Sequence, residues 1–442
     1  MQMDGAVGGE LGRTTLAKVT RRLIPFMFVL YVVSFLDRIN VSYAELQMGE
    51  DLGLSATVYG LGAGIFFIGY FIFEIPSNLI LERVGAKVWI ARIMITWGII
   101  SAAMFLVTGP VSFYVLRFLL GVAEAGFFPG MILYLTYFFP ARERAKAVAL
   151  FMTAVAIAGV IGSPLSGFLL TLDGLAGLSG WQILFIVEGV PAVLLSFVVL
   201  WYLPNGPDDA RWLEPAERDW IKDVLDRENR IKAERGEYTT RQALTNGRVW
   251  LLALVYFGIV ISLYGLSFWL PRIIQDFSGF GDFVVGLLGA IPFAAAAVGM
   301  VIFARHSDRT GERRWHVAIP AFIGAVGLIL TGLVGTSSVL QMAALTLAAL
   351  GIYSCLGTFW TLPTSFLGST AAAAGIALVN SVGNLGGFFG PYAVGFITDR
   401  TGSSYGGMLL LAAMITLAGI LVFVGRQEQE TEQVEEAAAP TS

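Results

Sequence analysis

Long apolar segments alternate with short polar ones along almost the whole chain of 442 residues. A helix needs about 20 mainly apolar residues to cross the hydrocarbon core of a bilayer. Lipid leaves an open sheet edge unsatisfied, so segments of this length indicate helices. The pattern predicts an all-α polytopic membrane protein with twelve spans. Their approximate bounds are 22–43, 57–80, 88–107, 111–138, 145–170, 181–203, 248–271, 284–304, 315–335, 339–365, 372–398 and 405–425.

Composition and the placement of charge refine this prediction. The chain is 56% hydrophobic and 14% charged, against about 25% charged residues in soluble domains. With the N-terminus inside, Lys and Arg fall almost entirely on the cytoplasmic side, and of the connecting segments only those of Arg272 and Arg400 face outwards. We therefore predict a multi-pass protein of the cell (inner or plasma) membrane with both termini cytoplasmic. Residues 1–20 are polar, so the first span is expected to direct insertion without a cleaved signal peptide.

One long polar segment, 204–246, divides the spans into six and six. Pro215 and the acids after it predict a short cytoplasmic helix. Its apolar face is expected to lie on the bundle or the membrane interface and contains Trp220, Ile221, Val224 and Leu225. The predicted organisation is an N-terminal six-helix bundle (1–203), this linker, and a C-terminal six-helix bundle with an acidic cytoplasmic tail (247–442).

The two halves of the chain look like repeats. An acid–Arg–x–Gly pattern follows the second span and returns after the eighth, 226 positions later. Its residues are Glu82, Arg83 and Gly85, and then Asp308, Arg309 and Gly311. Pro164 and Pro391 lie 227 positions apart in the fifth and eleventh spans. A parallel duplication of this kind predicts a binding site near the membrane midplane, between the halves.

These patterns resemble a known family. The acid–Arg–x–Gly pattern resembles the loop signature of the major facilitator superfamily. FLDRIN in the first span, FEIPSNLILERVGAK in the second, RFLLGVAEAGFFPG in the fourth and WLPRII in the seventh resemble its anion:cation symporter branch, which includes bacterial sugar-acid, tartrate and aromatic-acid permeases. The resemblance covers nearly the whole chain. It implies a secondary transporter with the major facilitator fold, whose loop signatures steady a closed state through charge pairs that break on opening.

Ionisable residues inside apolar spans are costly and usually functional. Those that stand out are Asp37, Arg38, Glu74, Arg117 and Glu124. The resemblance implies that Asp37 and Glu124 bind the coupling protons, and Arg117 fits a charge that tunes them. A static ion pair with Arg38 or Arg117 is the alternative. Glu74 and Glu188 are interpreted as structural.

Arg38 is the predicted anion ligand, because guanidinium recognises carboxylate in a bidentate manner and stays charged. The resemblance places the Arg of this motif at the substrate carboxylate. Neighbours on a helix point about 100° apart. We therefore expect Asp37 to face the fourth span and Arg38 to face the central cavity.

Polar and aromatic residues are predicted to complete the substrate site. The resemblance implies contacts from Tyr70 and Asn384. The residue types of the tenth and eleventh spans add Trp360, Thr361, Thr364 and Asn380. Helix-to-helix hydrogen bonding is the alternative role for these groups.

The expected function is proton-coupled import of a small organic anion: a sugar acid, a tartrate-like hydroxy acid or a related carboxylate. An aromatic carboxylate symporter, a proton-independent exchanger and a transporter-like sensor remain alternatives. No Walker A motif and no nucleophile–His–acid set at membrane depth is visible, so we expect no enzyme. We also expect no cofactor, no nucleic-acid partner and a monomer in the bilayer. The spacing of His306 and His316 suits no metal cage.

Overall fold

The computed structural model describes residues 9–234, 245–366 and 369–438, and this part of the chain is helical without strands. Its α-helices are α1 Glu10–Asp51, α2 Ala56–Val84, α3 Ala86–Ala103, α4 Pro110–Glu124, α5 Phe127–Thr136, α6 Ala141–Met152, α7 Ala154–Leu170, α8 Gly180–Tyr202, α9 Pro215–Glu234, α10 Gly247–Ser278, α11 Asp282–Thr310, α12 Trp315–Leu333, α13 Ser338–Phe359, α14 Thr361–Phe366, α15 Ser369–Asn384, α16 Gly386–Thr401 and α17 Tyr405–Ala438. The predicted all-α fold class is confirmed.

Eleven candidate membrane spans are long and apolar enough within the described residues. They correspond to all the predicted spans except 372–398. That segment forms α15 and α16, and several side chains near its start lie outside the described part of the chain.

Matched helix ends reflect the duplication. Both α2 and α11 have 29 residues, and their starts are 226 positions apart. Gly85 follows α2 with φ +96°, and Gly311 ends α11 with φ +71°. Glycine reaches this left-handed region without the steric cost of a Cβ. The glycine of the acid–Arg–x–Gly pattern therefore ends the same helix in each half.

Four predicted spans are each built from two helices, a feature that the sequence did not reveal. The breaks lie at Ala125–Gly126, Thr153, Trp360 and Leu385. They fall in the fourth and fifth spans and again in the tenth and eleventh. The breaks thus repeat in corresponding spans of the two halves.

Contacts divide the chain into two compact units. Unit 1 contains Met1–Leu54, Ile65–Glu237 and Asp282–Leu287. Unit 2 contains Ser55–Gly64, Tyr238–Gly281 and Leu288–Ser442. The first residues of α2 thus belong to unit 2, and the first residues of α11 belong to unit 1.

The linker helix α9 packs on unit 1. Ile221 and Val224 are buried, whereas Trp220 and Leu225 are only partly covered. The carboxylate of Glu217 accepts hydrogen bonds from Lys18 Nζ at 2.7 Å and from the backbone N–H of Glu214 at 2.8 Å. These contacts hold the start of α9 against the start of α1.

Candidate functional site

Asp37 lies in the middle of α1 and is 1% exposed. Its carboxylate accepts hydrogen bonds from Trp97 Nε1 at 2.8 Å and from Ser101 Oγ at 2.7 Å, both on α3. The expectation that Asp37 faces the fourth span is therefore wrong. The angle of about 100° between helix neighbours separates the two side chains, but it does not decide which helix each side chain meets.

Arg38 makes the contact with the fourth span instead. Its Nη2 donates to Oε1 of Glu124, the last residue of α4, and the two groups form an ion pair. Ser34 Oγ, one turn earlier on α1, donates to the same oxygen at 2.9 Å. Arg38 is 7% exposed and Glu124 is fully buried. A buried ion pair with an added hydrogen bond is the arrangement in which two charges can leave water together.

Aromatic rings surround the Arg38 guanidinium. Its carbon lies 5.3 Å from the ring centre of Phe66, 5.6 Å from Tyr70 and 5.8 Å from Phe35. Arg117 approaches the same Phe66 ring, at 5.2 Å. Each ring face attracts a cation within about 6 Å. Tyr70 therefore reaches the predicted anion ligand, and Phe66 is a neighbour that the sequence did not reveal.

Glycines bring α2 and α4 close enough to build this arrangement. A Cβ on Gly121 would lie 1.9 Å from the carbonyl oxygen of Phe66, and one on Gly69 would lie 2.5 Å from that of Phe118. Real Cβ atoms do not approach this closely, so both positions require glycine. Gly121 stands one turn after Arg117 and one turn before Glu124, and it places both side chains against α2.

The fourth span breaks directly after Glu124. Ala125 leaves the helix, Gly126 has φ +86°, and α5 starts at Phe127. A Cβ on Gly126 would meet Ser77 Oγ at 2.3 Å. Transporters commonly bind substrates and ions where a membrane helix is interrupted. The Ala-Glu-Ala-Gly sequence was the available signal for this break.

The remaining substrate candidates lie in unit 2, near the breaks in the tenth and eleventh spans. Trp360 stands between α13 and α14, with its ring 4.8 Å from Tyr256, which stacks on Phe359 at 4.9 Å. A Cβ on Gly383 would be 2.0 Å from the Tyr256 ring. Asn384, the next residue, ends α15. Tyr256 is therefore a common neighbour that the sequence did not single out.

The other unit 2 candidates differ in what the structure describes of them. Asn380 is 7% exposed, one turn before Asn384. Thr361 Oγ1 donates to the backbone carbonyl of Thr358 at 2.7 Å, which occupies its proton within the helix. Thr364 lies in α14, but its side chain is outside the described residues. The structure thus collects Asp37, Arg38, Tyr70, Arg117 and Glu124 in unit 1, and Trp360, Thr361, Asn380 and Asn384 in unit 2.

The charged residues of the loop signatures are exposed. Glu82, Arg83 and Arg309 lie exposed on the surface, and Asp308 accepts a hydrogen bond from Arg313 Nη1 at 2.6 Å. The backbone N–H of Lys87 donates to Asn205 Oδ1 at 3.3 Å, beside Gly85. The gating role predicted for these charges stays a prediction.

The two histidines of the chain meet near the second signature. His306 Nδ1 and His316 Nε2 are 2.6 Å apart, and His316 Nδ1 lies 3.0 Å from Glu312 Oε2. Burial would raise the pKa of Glu312, but hydrogen bonds from the Trp315 N–H and from His316 outweigh it and lower the pKa. The spacing of His306 and His316 in the sequence gave no indication that the two rings are in contact.

The family model and the similar proteins found by comparison are all those of transporters. The family model described as "Major Facilitator Superfamily" matches residues 27–391. The chain is 50% identical over 424 residues to the "Putative tartrate transporter" of Agrobacterium vitis, covering 95% of this chain and 93% of that protein. It is 43% identical to the "Quinolone resistance transporter" of Acinetobacter baumannii, covering 96% and 98%. It is 44% identical to the "Putative metabolite transport protein NicT" of Pseudomonas putida, covering 92% and 93%.

Among solved structures, the chain resembles an inward-facing, unoccupied bacterial homologue of the human lysosomal transporter Spinster. The TM-score is 0.75 at 18% identity, and the match covers 93% of this chain and 96% of the other. At this identity the likeness supports the fold alone.

Proposed function

Because this chain belongs to the major facilitator superfamily, we propose that it is a proton-coupled symporter that imports a small organic anion by alternating access. That it is a multi-pass membrane transporter follows from the family and the apolar helices. The direction of transport, the coupling ion and the anion are the content of the proposal.

The ion pair between Arg38 and Glu124 carries the proposal. While Glu124 is ionised, its carboxylate occupies the Arg38 guanidinium. A proton on Glu124 removes that negative charge and leaves Arg38 available to a substrate carboxylate, which can bind it in a bidentate manner. Proton binding and anion binding then favour each other, because both depend on the same guanidinium.

Asp37 supplies the second proton site. It is buried on α1 beside Arg38 but is held by α3. A low-polarity interior favours the neutral form of a carboxyl group, and hydrogen bonds and cations favour the charged form. A carboxyl balanced between these effects can load a proton on one side of the membrane and release it on the other.

The transport cycle follows from these sites. With Asp37 and Glu124 protonated, the anion enters from outside and meets Arg38. The two halves then rock, and the less acidic interior favours release of the protons and the anion. One proton on each acid with a monoanion moves one net positive charge inwards. A membrane potential contributes about 2.3 kcal/mol per charge per 100 mV to that step.

For the anion, we propose a sugar acid or a tartrate-like hydroxy acid. Asn380 and Asn384 carry amides that can donate to and accept from the hydroxyl groups of a substrate. A relative at 50% identity carries tartrate in its name. An aromatic carboxylate is the second candidate, favoured by the rings around Arg38 and by Trp360 and Tyr256. Such a substrate would stack on the rings around Arg38 and place its carboxylate at the guanidinium.

Purified protein in proteoliposomes tests the proposal. An inward proton gradient should drive accumulation of labelled tartrate or a sugar acid, and dissipating the gradient should abolish it. Counterflow that is unaffected by pH, without gradient-driven accumulation, would instead establish an exchanger.

A thermal-shift screen of tartrate, six-carbon sugar acids and 4-hydroxyphenylacetate identifies the substrate class, because a bound ligand raises the apparent stability. Signalling that is lost from a strain without any loss of uptake would favour a sensor.

A further inference from the structure

Glu188 is a buried acid that the proposed cycle does not use. It lies in α8 and is 4% exposed. Ser166 Oγ on α7 donates to Glu188 Oε1 at 2.7 Å. The other carboxyl oxygen, Oε2, receives no hydrogen bond from the described residues. A buried carboxylate with an unsatisfied oxygen costs free energy, and a proton on that oxygen removes most of the cost.

Asn40 connects Glu188 to Asp37. It lies three residues after Asp37 on the same face of α1, and its Nδ2 is 3.5 Å from Asp37 Oδ1. Its side chain also interacts with the Glu188 carboxyl group. Asn40 Oδ1 is buried and has no hydrogen-bond partner among the described residues. An amide thus stands between two acids, with spare hydrogen-bonding capacity of its own.

The groups around Glu188 include no cation within the described part of the chain. On α1, the titratable groups that interact electrostatically with Glu188 are Asp37 and Tyr43. From α7 the contact is the Ser166 hydroxyl. From α3 the contact is backbone, since a Cβ on Gly189 would lie 2.6 Å from the N atom of Ala102.

The balance of buried charges in unit 1 also favours a protonated acid. Carboxyl groups outnumber guanidinium groups among the buried ionisable residues at the centre of the unit. The carboxyl groups are those of Asp37, Glu45, Glu74, Glu124 and Glu188, and the guanidinium groups are those of Arg38 and Arg117. Arg38 is engaged by Glu124. An uncompensated charge at this depth is costly, so the excess of acids favours a proton on at least one of them. Asp37 accepts two hydrogen bonds shorter than 3 Å, from Trp97 and Ser101, whereas Glu188 accepts one, from Ser166.

We propose that Glu188 is a third proton-binding residue, which holds a proton while Asp37 is ionised and passes it to Asp37 during loading. The step moves one proton from the Glu188 carboxyl group to the Asp37 carboxylate; the Asn40 amide, which donates to Asp37 Oδ1, orients the carboxyl groups and does not itself carry the proton. Glu188 is left as the anion and is reprotonated from the Asp51 end of α1, the side predicted to face outwards. This inference rests on the proposed proton coupling and extends it by one site.

Glu188→Gln tests the relay, because glutamine keeps an acceptor for Ser166 but cannot carry the proton. Uptake driven by a proton gradient should fall at least about tenfold, a change of about 1.4 kcal/mol in the limiting barrier. Substrate counterflow, which needs no net proton movement, should stay within about twofold of wild type. Glu50→Gln, at an exposed acid on the same helix end as the proposed entry, is the matched control and should change neither rate. Gradient-driven uptake at the wild-type rate in Glu188→Gln overturns the relay.

Infrared spectroscopy provides a readout that does not depend on transport. At neutral pH, wild-type protein should show the C=O band of a protonated carboxyl group that Glu188→Gln lacks and Glu50→Gln retains. An undiminished band in Glu188→Gln overturns the proposal. If wild-type protein shows no gradient-driven uptake, the symport proposal fails, and this band still decides whether Glu188 holds a proton.

Should Glu188→Gln fail to fold, Asn40→Ala is expected to lose gradient-driven uptake in the same way, and wild-type uptake in that variant contradicts the relay.

Discussion

Arg38 on α1 is paired with Glu124 on α4, 86 positions along the chain. The acid next to Arg38 in the sequence, Asp37, turns instead to Trp97 and Ser101 on α3. The Asp-Arg dipeptide is therefore divided between two polar environments. One holds the guanidinium that an anion would need, and the other holds a carboxyl group whose hydrogen-bond donors among the described residues are an indole, a hydroxyl and an amide.

Arg38→Lys should weaken substrate binding at least about tenfold, or about 1.4 kcal/mol. Lysine keeps the positive charge but loses the fork that binds a carboxylate through two hydrogen bonds. Ligand-induced thermal shifts across a substrate titration measure the change. Arg92→Lys is the matched control, because Arg92 on α3 lies over Trp89 at 4.1 Å, away from the Glu124 contact. Unchanged affinity in Arg38→Lys would move the anion site elsewhere.

Asp37→Asn and Glu124→Gln should each abolish accumulation driven by a proton gradient. Each amide mimics the protonated acid in shape but cannot release a proton, so the cycle loses its driving ion. Part of the counterflow should remain, because the loaded state can still form. Uptake and counterflow of labelled substrate in the same proteoliposomes separate the two activities. Wild-type, pH-driven accumulation in both variants would remove these acids from the coupling mechanism.

The sequence predicted which charged residues form this site better than it predicted which side chains they contact. Charges inside apolar spans are rare and costly, and this criterion singles out Asp37, Arg38 and Glu124, together with Glu74 and Arg117. Helical geometry gives the angle between Asp37 and Arg38 but no absolute orientation. The orientation depends on Trp97 and Ser101, two uncharged residues of α3 that a search for charges in apolar spans does not single out.

The division of four spans into helix pairs was hidden for a related reason. Hydropathy averages over a whole span, so a break of one or two residues leaves the average unchanged. At Gly126 the break depends on a left-handed backbone and on close contact with Ser77. Glycine has many other roles in membrane helices, including close helix packing, and its presence alone does not identify a break.

Gly121→Ala should destabilise the protein and disturb the site together. The new Cβ would lie 1.9 Å from the Phe66 carbonyl oxygen, and backbone cannot yield as a flexible side chain can. Overpacking of this kind costs about 1–3 kcal/mol. Gly109→Ala, at the start of the same helix with nothing within 4 Å of its Cβ, should leave stability unchanged. Thermal unfolding in detergent compares the two variants, and equal midpoints would contradict the close contact between α2 and α4.

Asp399 should stabilise unit 2 in a pH-dependent way. Its carboxylate accepts hydrogen bonds from the backbone N–H groups of Ala56 and Thr57 at 3.1 and 2.8 Å, and so caps the start of α2. Partial burial would raise the pKa of Asp399, but the bonds from Thr57 and its neighbours outweigh it and lower the pKa below 3.8. For a group with a lowered folded-state pKa, the stabilisation is fully present above the unfolded value and is lost as pH falls through the folded value.

Asp399→Asn therefore should lower the unfolding temperature at neutral pH, because the amide has one acceptor oxygen where two N–H groups need partners. Asp399 is largely exposed, so the cost should not exceed about 1 kcal/mol. The difference from wild type should stay constant from neutral pH down to about pH 5 and then shrink in more acidic solution. Thermal unfolding across this pH range measures the difference in unfolding temperature.

Asp276→Asn is the control, since Asp276 pairs with Arg272 on its own helix α10 and caps no other helix in the described residues. A difference between Asp399→Asn and wild type that grows on acidification would show that the α2 cap does not depend on the ionised carboxylate.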